Sequence, residues 1–155
     1  MSQVFLGLGS NLGNRQENME KALALIAGRV GDILTLSGFY ETSSWGYKST
    51  ETYLNVVAKV EIGLSPSGLL AATQAIEREI GRKEKTINGE YHDRVIDIDI
   101  LLYGDLITRT PELTIPHPLM LQRQFVMRPL SEIAPDVHHP VLGKTMEELY
   151  RSSEG

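Results

Sequence analysis

The sequence predicts an α+β fold with a ferredoxin-like βαββαβ core. In this core an antiparallel sheet has helices packed on one face, and a C-terminal hairpin and short helices follow. Three observations predict it. Four stretches alternate apolar and polar side chains, two repeat apolar residues at helical spacing, and their order is strand, helix, strand, strand, helix, strand. The 155 residues fit one domain spanning residues 1–155, without repeats or linkers.

The first strand and the first helix are predicted close to the N-terminus. Residues 4–8 predict the strand, and a glycine-rich turn at residues 7–14 leads into a helix that Gly28 and Gly31 end. The apolar stripe of this helix consists of Met19, Ala22, Leu23 and Ile26. The turn is either an anion cradle or a plain turn with a helix cap. Its spacing fits neither a P-loop nor a dinucleotide fingerprint, which favours the plain turn.

Two strands follow, at residues 33–41 and 53–62. The later strand alternates cleanly, and its predicted core face carries Leu54, Val56, Ala58, Val60 and Ile62. Its opposite face carries Tyr53, Asn55, Val57, Lys59 and Glu61. The polar stretch at residues 42–50 between the strands holds Trp45 and Tyr47, which either cover a ligand or fold back onto the core.

The second helix has clear start and stop signals. Ser65 is a capping residue, Pro66 suits the first helical position, and Gly81 is a natural stop. The predicted buried stripe consists of Leu69, Ala72, Ile76 and Ile80. Residues 82–94 are charged and lack an apolar period, so a long loop there is either functional or disordered.

The fourth strand, at residues 95–103, carries the strongest chemical signal in the chain. Ile96, Ile98, Ile100 and Leu102 are predicted on one face, and Asp97 and Asp99 share the other with Val95, Leu101 and Tyr103. Two ionised carboxylates this close repel each other unless a cation lies between them, and magnesium prefers such oxygen ligands. The pair therefore either holds a metal or points into solvent from a one-sided sheet.

The remaining segments are shorter. Gly104 and Asp105 predict a hairpin turn into a returning strand at residues 106–110. Residues 115–118 cannot continue a ladder, because two prolines lack donors, and they hold His117 on a rigid turn suited to ligand contact. A short helical turn follows Arg123 and is limited by Pro129. The tail, with the adjacent residues 138–139, is predicted to pack rather than bind metal.

Composition narrows the class of protein. The formal net charge of −5 argues against broad nucleic-acid binding, although a local basic cluster remains suited to a small anionic ligand. The chain has no cysteine, which suits a reducing cytoplasm. The N-terminus shows no signal peptide and no stretch is long enough to span a membrane, so we expect a cytoplasmic protein without membrane partners.

Taken together, these motifs make the sequence resemble the 6-hydroxymethyl-7,8-dihydropterin pyrophosphokinase family of folate biosynthesis. The resemblance runs nearly end to end, and it rests on shared order and spacing rather than on one motif. The matching landmarks are residues 9–12, 39–42, Gly46, 53–55, Gln74, 76–77, 81–82, 94–101, 113–118, 123–125 and 129–135.

The resemblance implies an ATP-dependent diphosphotransferase that transfers diphosphate to the pterin hydroxymethyl group and releases AMP. Its partners would be ATP and the reduced hydroxymethylpterin, and we expect a monomer. The positions matched to the pterin are Thr42, Ser43, Trp45, Tyr53, Asn55 and Phe125. The positions matched to ATP are Leu70, Gln74, Glu77, Ile100, Thr114, His117 and Arg123.

The resemblance also implies the catalytic set. Asp97 and Asp99 match the two aspartates that hold two magnesium ions along the triphosphate, and Arg82 and Arg94 match arginines of the catalytic loop. The family commonly shows Arg-Trp-Gly-Pro-Arg before its aspartates, whereas this chain has Glu-Tyr-His-Asp-Arg at residues 90–94. Tyr91 is a candidate replacement for the tryptophan. No residue presents itself as a dedicated general base.

Two other interpretations fit part of the pattern. A nucleotidyltransferase of the polymerase-β type also pairs a Gly-Ser turn with Asp-x-Asp, but those two motifs lie close together in that group, whereas Ser10 and Asp97 are far apart here. A ferredoxin-like ligand-sensing module would bind without turnover, and it would leave the aspartate pair without a use.

Overall fold

The computed structural model describes residues 1–42, 52–81 and 95–154. Within them the strands are β1 (Ser2–Ser10), β2 (Gly31–Leu36), β3 (Tyr40–Thr42), β4 (Tyr53–Ile62), β5 (Asp97–Tyr103), β6 (Thr108–Arg109) and β7 (Thr114–Ile115). The helices are α1 (Arg15–Arg29), α2 (Pro66–Gly81), α3 (Gln124–Ile133) and α4 (Met146–Glu154), with a 3-10 turn at Met120–Gln122.

The main sheet has the predicted ferredoxin-like order. Of the described strands, β2, β4, β1 and β5 lie side by side in that sequence, and β3 extends the pairing along β4 beyond β2. All of these pairs are antiparallel. Helices α1 and α2 cover one face, against the β4 residues predicted to face the core, Leu54, Val56, Ala58, Val60 and Ile62. The predicted fold class is confirmed.

The glycine-rich segment at residues 7–14 begins inside β1 and ends as the cap of α1. The Asn14 side chain caps α1 by accepting a hydrogen bond from the Glu17 amide at 3.0 Å, and Gly13 adopts a positive φ of 67°. Asn18 Nδ2 donates to the Leu12 carbonyl at 2.8 Å. Helix α1 continues through Gly28, which was predicted to end it, and stops at Arg29.

The predicted strand at residues 33–41 is divided in two. Ser37 Oγ accepts a hydrogen bond from the Val57 amide at 2.9 Å, where a regular ladder would present a main-chain carbonyl. The chain therefore leaves the ladder after β2 and rejoins β4 as β3. The Glu132 side chain on α3 accepts hydrogen bonds from the Gly38 amide and the Tyr40 hydroxyl, which ties this interruption to α3.

A β-bulge changes the predicted face pattern of β5. The register against β1 shifts between Phe5 and Leu6, so Phe5 pairs with Leu102 while Leu6 pairs with Ile100. Leu102 consequently joins Leu101 in the second apolar cluster, and Tyr103 turns to the first, where its hydroxyl donates to the Leu64 carbonyl. The predicted placement of Leu102 and Tyr103 was wrong, because strict alternation ends at the bulge.

Helix α3 covers part of the second sheet face, which the sequence pattern left free. Val126, Met127 and Leu130 pack there against Phe5 and sheet residues of β4 and β5. The helix runs on through the buried Pro129, which was expected to limit it. Pro129 removes one main-chain hydrogen bond, and burial of the apolar face of α3 offsets that loss.

The strand predicted to return from the turn at Gly104 has a different partner from the one expected. The segment after Gly104 does not pair back with β5; instead β6 pairs with β7 in a separate two-stranded sheet. This pairing places the segment around His117 beside β5, where the His117 amide donates to the Leu101 carbonyl at 3.0 Å. Within the described ranges, none of the helices has the length and apolarity needed to cross a membrane.

The tail contains a buried histidine that we expect to make stability depend on pH. His139 Nδ1 accepts hydrogen bonds from the amides of Val141 and Leu142, each at 3.2 Å, and burial lowers the pKa of His139 below its usual 6.5. The unfolded chain therefore takes up a proton first as pH falls. Stability should be complete above about pH 6.5 and should decrease below it.

The test compares thermal unfolding at pH 7.5 and 5.5 for the wild type and for His139→Asn, whose side-chain oxygen still accepts but does not titrate. The variant should lose less of its melting temperature on acidification. His138→Asn is the control, because the neighbouring His138 is exposed. Equal losses in the wild type and His139→Asn would contradict the assignment.

Candidate active site

The floor of the site is the part of the second sheet face that α3 leaves open. Two rows of residues cross the strands there. Gly9 on β1 lies between Asn55 on β4 and Asp97 on β5, and Gly7 lies between Val57 and Asp99. A Cβ on Gly9 would lie 3.0 Å from Asn55 Oδ1, a tight contact that would require the Asn55 side chain to shift. Because glycine has no side chain, nothing rises from Gly7 and Gly9 into the space between the carboxylates of β5 and the residues of β4.

A cavity of about 630 Å³ lies over this floor. Its walls come from the end of β3, from the segment before α3 and from the first turn of α3. Besides the residues of the two floor rows, the lining residues are Leu8, Thr42, Tyr53, Val56, Leu119, Gln122, Arg123, Gln124, Phe125 and Val126. The combination of two aromatic rings, an amide and two carboxylates suits a flat polar heterocycle beside a charged group.

A second cavity of about 350 Å³ adjoins the first. It lies between α2, the β5 edge of the sheet and the segment around β7. Its lining residues are Leu70, Thr73, Gln74, Glu77, Ile98, Asp99, Ile100, Pro111, Glu112, Leu113, Thr114, His117 and Pro118. Asp99 lines both cavities, so this carboxylate lies where a ligand in one would meet a ligand in the other.

Two basic side chains approach Asp99. Arg123 Nη1 lies 3.7 Å from Asp99 Oδ2, and His117 Nε2 lies 3.9 Å from Asp99 Oδ1. Arg123 also lies over the ring of Phe125, with its guanidinium carbon 5.5 Å from the ring centre. These separations are longer than hydrogen bonds, so the three groups are close enough to interact and open enough to receive an anionic ligand.

The tautomer of His117 follows from its hydrogen bonds. Its Nδ1 accepts from the Leu119 amide at 3.1 Å, which leaves the proton of the neutral ring on Nε2, the nitrogen near Asp99. Burial lowers the pKa of His117, and the Arg123 charge lowers it further, while Asp99 opposes both. At neutral pH His117 is therefore a neutral donor directed into the site.

Two further hydrogen bonds fix the floor. Glu77 Oε2 on α2 accepts from the Ile98 amide at 2.7 Å, on the peptide between the two aspartates. This bond occupies a donor on β5, which lies at the edge of the described sheet. On the other side of the floor, Asn55 Nδ2 donates to Thr42 Oγ1 at 2.9 Å, which orients the buried amide.

The donor set fits a cation of the magnesium type. No group of three or more histidine, aspartate or glutamate side chains that could hold a metal occurs in the parts of the chain described. Magnesium, however, is usually held by one or two carboxylates, together with water and substrate phosphates. Asp97 and Asp99 line one cavity and supply such a pair.

The model of the family described as 7,8-dihydro-6-hydroxymethylpterin-pyrophosphokinase (HPPK) matches residues 5–135 of this chain. The chain belongs to the HPPK family. It is therefore an ATP-dependent pyrophosphokinase, as the resemblance implied. HPPK membership decides against the nucleotidyltransferase and the ligand-sensing interpretations.

Named relatives agree with the HPPK assignment. The chain is 51% identical over 139 residues to a 2-amino-4-hydroxy-6-hydroxymethyldihydropteridine pyrophosphokinase of Porphyromonas gingivalis, covering 89% of this chain and 95% of the relative. It is 40% identical over 149 residues to the protein of the same name from Aquifex aeolicus, covering 96% and 91%. The folic acid synthesis protein fol1 of Schizosaccharomyces pombe is 39% identical, but the match covers only 20% of that longer protein.

Solved structures support the HPPK fold. Wild-type Plasmodium falciparum HPPK-DHPS superposes with a TM-score of 0.78 at 17% identity, covering 98% of this chain and 44% of that chain. A crystal structure of HPPK-DHPS in complex with substrates gives a TM-score of 0.77 at 16% identity, covering 98% and 43%. The chain thus spans less than half the length of these solved chains.

The structure brings together the described residues that HPPK resemblance selected. Four positions matched to the pterin, Thr42, Tyr53, Asn55 and Phe125, line the larger cavity. The positions matched to ATP line the smaller cavity, except Arg123, which lines the larger one. Ser43, Trp45, Arg82 and Arg94 lie outside the described residues, as does Tyr91. The individual roles remain predictions.

Sequence reasoning missed several lining residues of the HPPK site. Gly7 and Gly9 form the floor, Gln122 and Gln124 belong to the wall before α3, and Thr73 lies buried on the α2 side. The glycines carried a usable signal, since glycine inside a strand often marks close approach of another group. Gln124 lies within the matching landmark at residues 123–125, whereas Gln122 carried no signal, because only the path of the chain between β7 and α3 places it at the cavity.

Proposed function

We propose that this HPPK-family enzyme transfers the diphosphate group of ATP to the hydroxymethyl oxygen of 6-hydroxymethyl-7,8-dihydropterin, with release of AMP, in folate biosynthesis. One observation carries the proposal: Asp99 lies at the junction of two cavities with different chemistry. The larger cavity offers aromatic walls and a buried amide. The smaller cavity is lined by both apolar and polar side chains, and His117 at its border can donate a hydrogen bond.

The pterin is placed in the larger cavity. Tyr53 and Phe125 supply ring surfaces for stacking, and Asn55 supplies hydrogen-bonding atoms for the polar edge of the heterocycle. Because Thr42 occupies one amide proton of Asn55, the orientation of that amide is set before the ligand arrives. A fixed amide recognises one arrangement of donors and acceptors.

ATP is placed in the smaller cavity, with its phosphates directed towards Asp99. The neutral His117 donates through Nε2, and Arg123 supplies a permanent positive charge at the same carboxylate. The pterin hydroxyl oxygen attacks the β-phosphorus and loses its proton to water, while the bond from that phosphorus to the α-phosphate oxygen breaks and AMP leaves with that oxygen. Positioning and electrostatic stabilisation supply most of the catalysis in such a transfer.

Asp97 and Asp99 would hold two magnesium ions, with ATP as the co-substrate. Bound cations neutralise phosphate charge and align the attacking and leaving oxygens. The two carboxylates belong to one strand, and Glu77 and β1 hold the backbone of that strand in place without a ligand. The general base stays unassigned.

The deciding experiment incubates the protein with ATP, magnesium and the reduced hydroxymethylpterin. AMP and the pterin diphosphate should form in equal amounts. Release of ADP, or of free pyrophosphate with a nucleotidyl product, would overturn the proposal.

We expect Glu77→Ala to lower kcat by roughly ten- to thirtyfold, because the peptide between the aspartates loses a charged hydrogen-bond partner. Glu77→Gln keeps an acceptor oxygen and should retain most of the activity. Steady-state kinetics with saturating ATP measure both variants. A matched control is Glu79→Ala, which removes an exposed carboxylate of α2 that pairs with Arg29. Equal kcat values for Glu77→Ala and Glu79→Ala would refute a positioning role for Glu77.

The proposal also covers the oligomeric state, the partners and the location of the enzyme. We expect a monomer that acts on two small molecules, ATP and the reduced hydroxymethylpterin. The net negative charge supports the absence of nucleic-acid and membrane partners, and the lack of cysteine suits a reducing cytoplasm. Gel filtration at micromolar concentration tests the monomer.

A further inference from the structure

We propose that Arg15, the first residue of α1, is a positioning residue for the pterin half of the site. The proposal rests on the proposed function, because it assigns Tyr53, Asn55 and Thr42 to the pterin. Arg15 lines neither cavity, so its action has to pass through the residues that it holds.

Arg15 connects the two segments on either side of residues 43–51. Its Nη1 donates to the Thr52 carbonyl at 2.8 Å and to Thr52 Oγ1 at 2.6 Å. Its Nη2 donates to Glu41 Oε1 at 3.4 Å. The Arg15 side chain is only 25% exposed and its two bonds to Thr52 are partly shielded from water, whereas its bond to Glu41 lies at the surface. One guanidinium thus bridges the end of β3 and the start of β4.

The bridged residues are the immediate neighbours of cavity residues. Thr42 pairs with Tyr53 as the last rung of the β3–β4 ladder, and Tyr40 pairs with Asn55 two residues before it. Thr42 and Tyr53 line the cavity, and Thr42 orients the Asn55 amide. Arg15 contacts Glu41 and Thr52, just beside this last rung. Loss of Arg15 should therefore loosen the ring of Tyr53 and the Thr42–Asn55 pair together.

The position of Arg15 on its helix supports a specific role. A cation in the first turn of a helix meets the positive end of the helix dipole, which favours acidic residues there. The opposite end of α1 carries Arg29, where a basic residue is favourable. An arginine at the first position is thus electrostatically unfavourable for the helix itself. The planar, multidentate contact with Thr52 and Glu41 compensates, and lysine would reproduce it only in part.

The test is the kinetics of Arg15→Ala. The KM for the pterin should rise roughly five- to tenfold, because Arg15 donates charged hydrogen bonds that hold the pterin-binding residues in place. The kcat and the KM for ATP should stay within about twofold of the wild-type values. Arg15→Lys should be intermediate. Arg29→Ala is the matched control, because it removes an arginine from the same helix and an exposed ion pair with Glu79.

A second measurement separates this proposal from the proposed function. Hydrogen exchange of the described amides at residues 52–55 needs no substrate. Arg15→Ala should speed it, and Arg29→Ala should not. If wild-type protein formed no AMP and pterin diphosphate, the proposed function would fail and the exchange data would still test the positioning. Unchanged exchange in Arg15→Ala, or a KM for ATP that rises as much as that for the pterin, would overturn the role of Arg15.

Discussion

Replacing Asp99 by alanine is expected to reduce turnover by roughly a thousandfold or more, and replacing Asp97 by a similar factor. Groups that stabilise charge on a transferring phosphoryl group supply several kcal/mol, and each tenfold in rate corresponds to about 1.4 kcal/mol. Asp99→Ala also leaves Arg123 and His117 without the carboxylate between them. Single-turnover production of AMP measures the loss over this range.

The two aspartate variants should differ in ATP binding. Asp99 lines both cavities and Asp97 only the larger one, so Asp99→Ala should weaken ATP binding in the presence of magnesium more than Asp97→Ala. Asp105→Ala, which removes an exposed carboxylate just after β5, is the control and should keep wild-type rates. Near-normal turnover in either aspartate variant, with a folded protein, would refute the metal assignment.

Replacing Asn55 by alanine is expected to lower kcat/KM for the pterin by roughly a hundredfold, with little change in the KM for ATP. Asn55 is buried, and its amide is the polar group at the floor of the larger cavity opposite the aspartates. A site built to hydrogen-bond a ligand loses much of its selectivity when the partner is removed. Steady-state kinetics with each substrate varied in turn measures the effect.

Thr42→Val is the matched control for Asn55. It keeps the shape of the side chain but removes the oxygen that accepts from Asn55 Nδ2, so the amide stays present and loses only its fixed orientation. We expect a loss of about fivefold in kcat/KM for the pterin. Melting temperatures of both variants establish that the proteins are folded. A loss in Asn55→Ala no larger than in Thr42→Val would place recognition of the pterin edge elsewhere.

Strand β4 and the first two helices could be read from the sequence because apolar residues recur in each at the period of its own backbone. The alternation in β4 placed five apolar residues on the helix-covered side, and the structure confirms all five. Where local sequence patterns did not predict the bounds of an element, tertiary contacts determined them. Pro129 lies inside α3 because packing of that helix on the sheet outweighs one lost hydrogen bond, and no local pattern reports that packing.

The bulge in β5 shows the limit of periodicity. Residues 100–102 are all apolar, so the pattern is compatible with either face, and only the register against Phe5 and Leu6 reveals the shift. The aspartates precede the bulge, and for that reason their predicted common face was correct. The same register sets Gly7 and Gly9 opposite Asp99 and Asp97, an arrangement that neither strand encodes by itself.

The sequence by itself determined the ferredoxin-like order of elements, the aspartate pair on one strand and, through the order of its landmarks, the family. Only the tertiary structure decided that Asp99 is shared by two cavities and that Arg123 and His117 meet at this carboxylate. The physical reason is that a periodic pattern reports which face of one element is buried. The larger cavity instead exists between β4, β5 and the start of α3, and the smaller one between α2, β5 and β7. These elements are far apart in the chain, and their packing alone sets the distances.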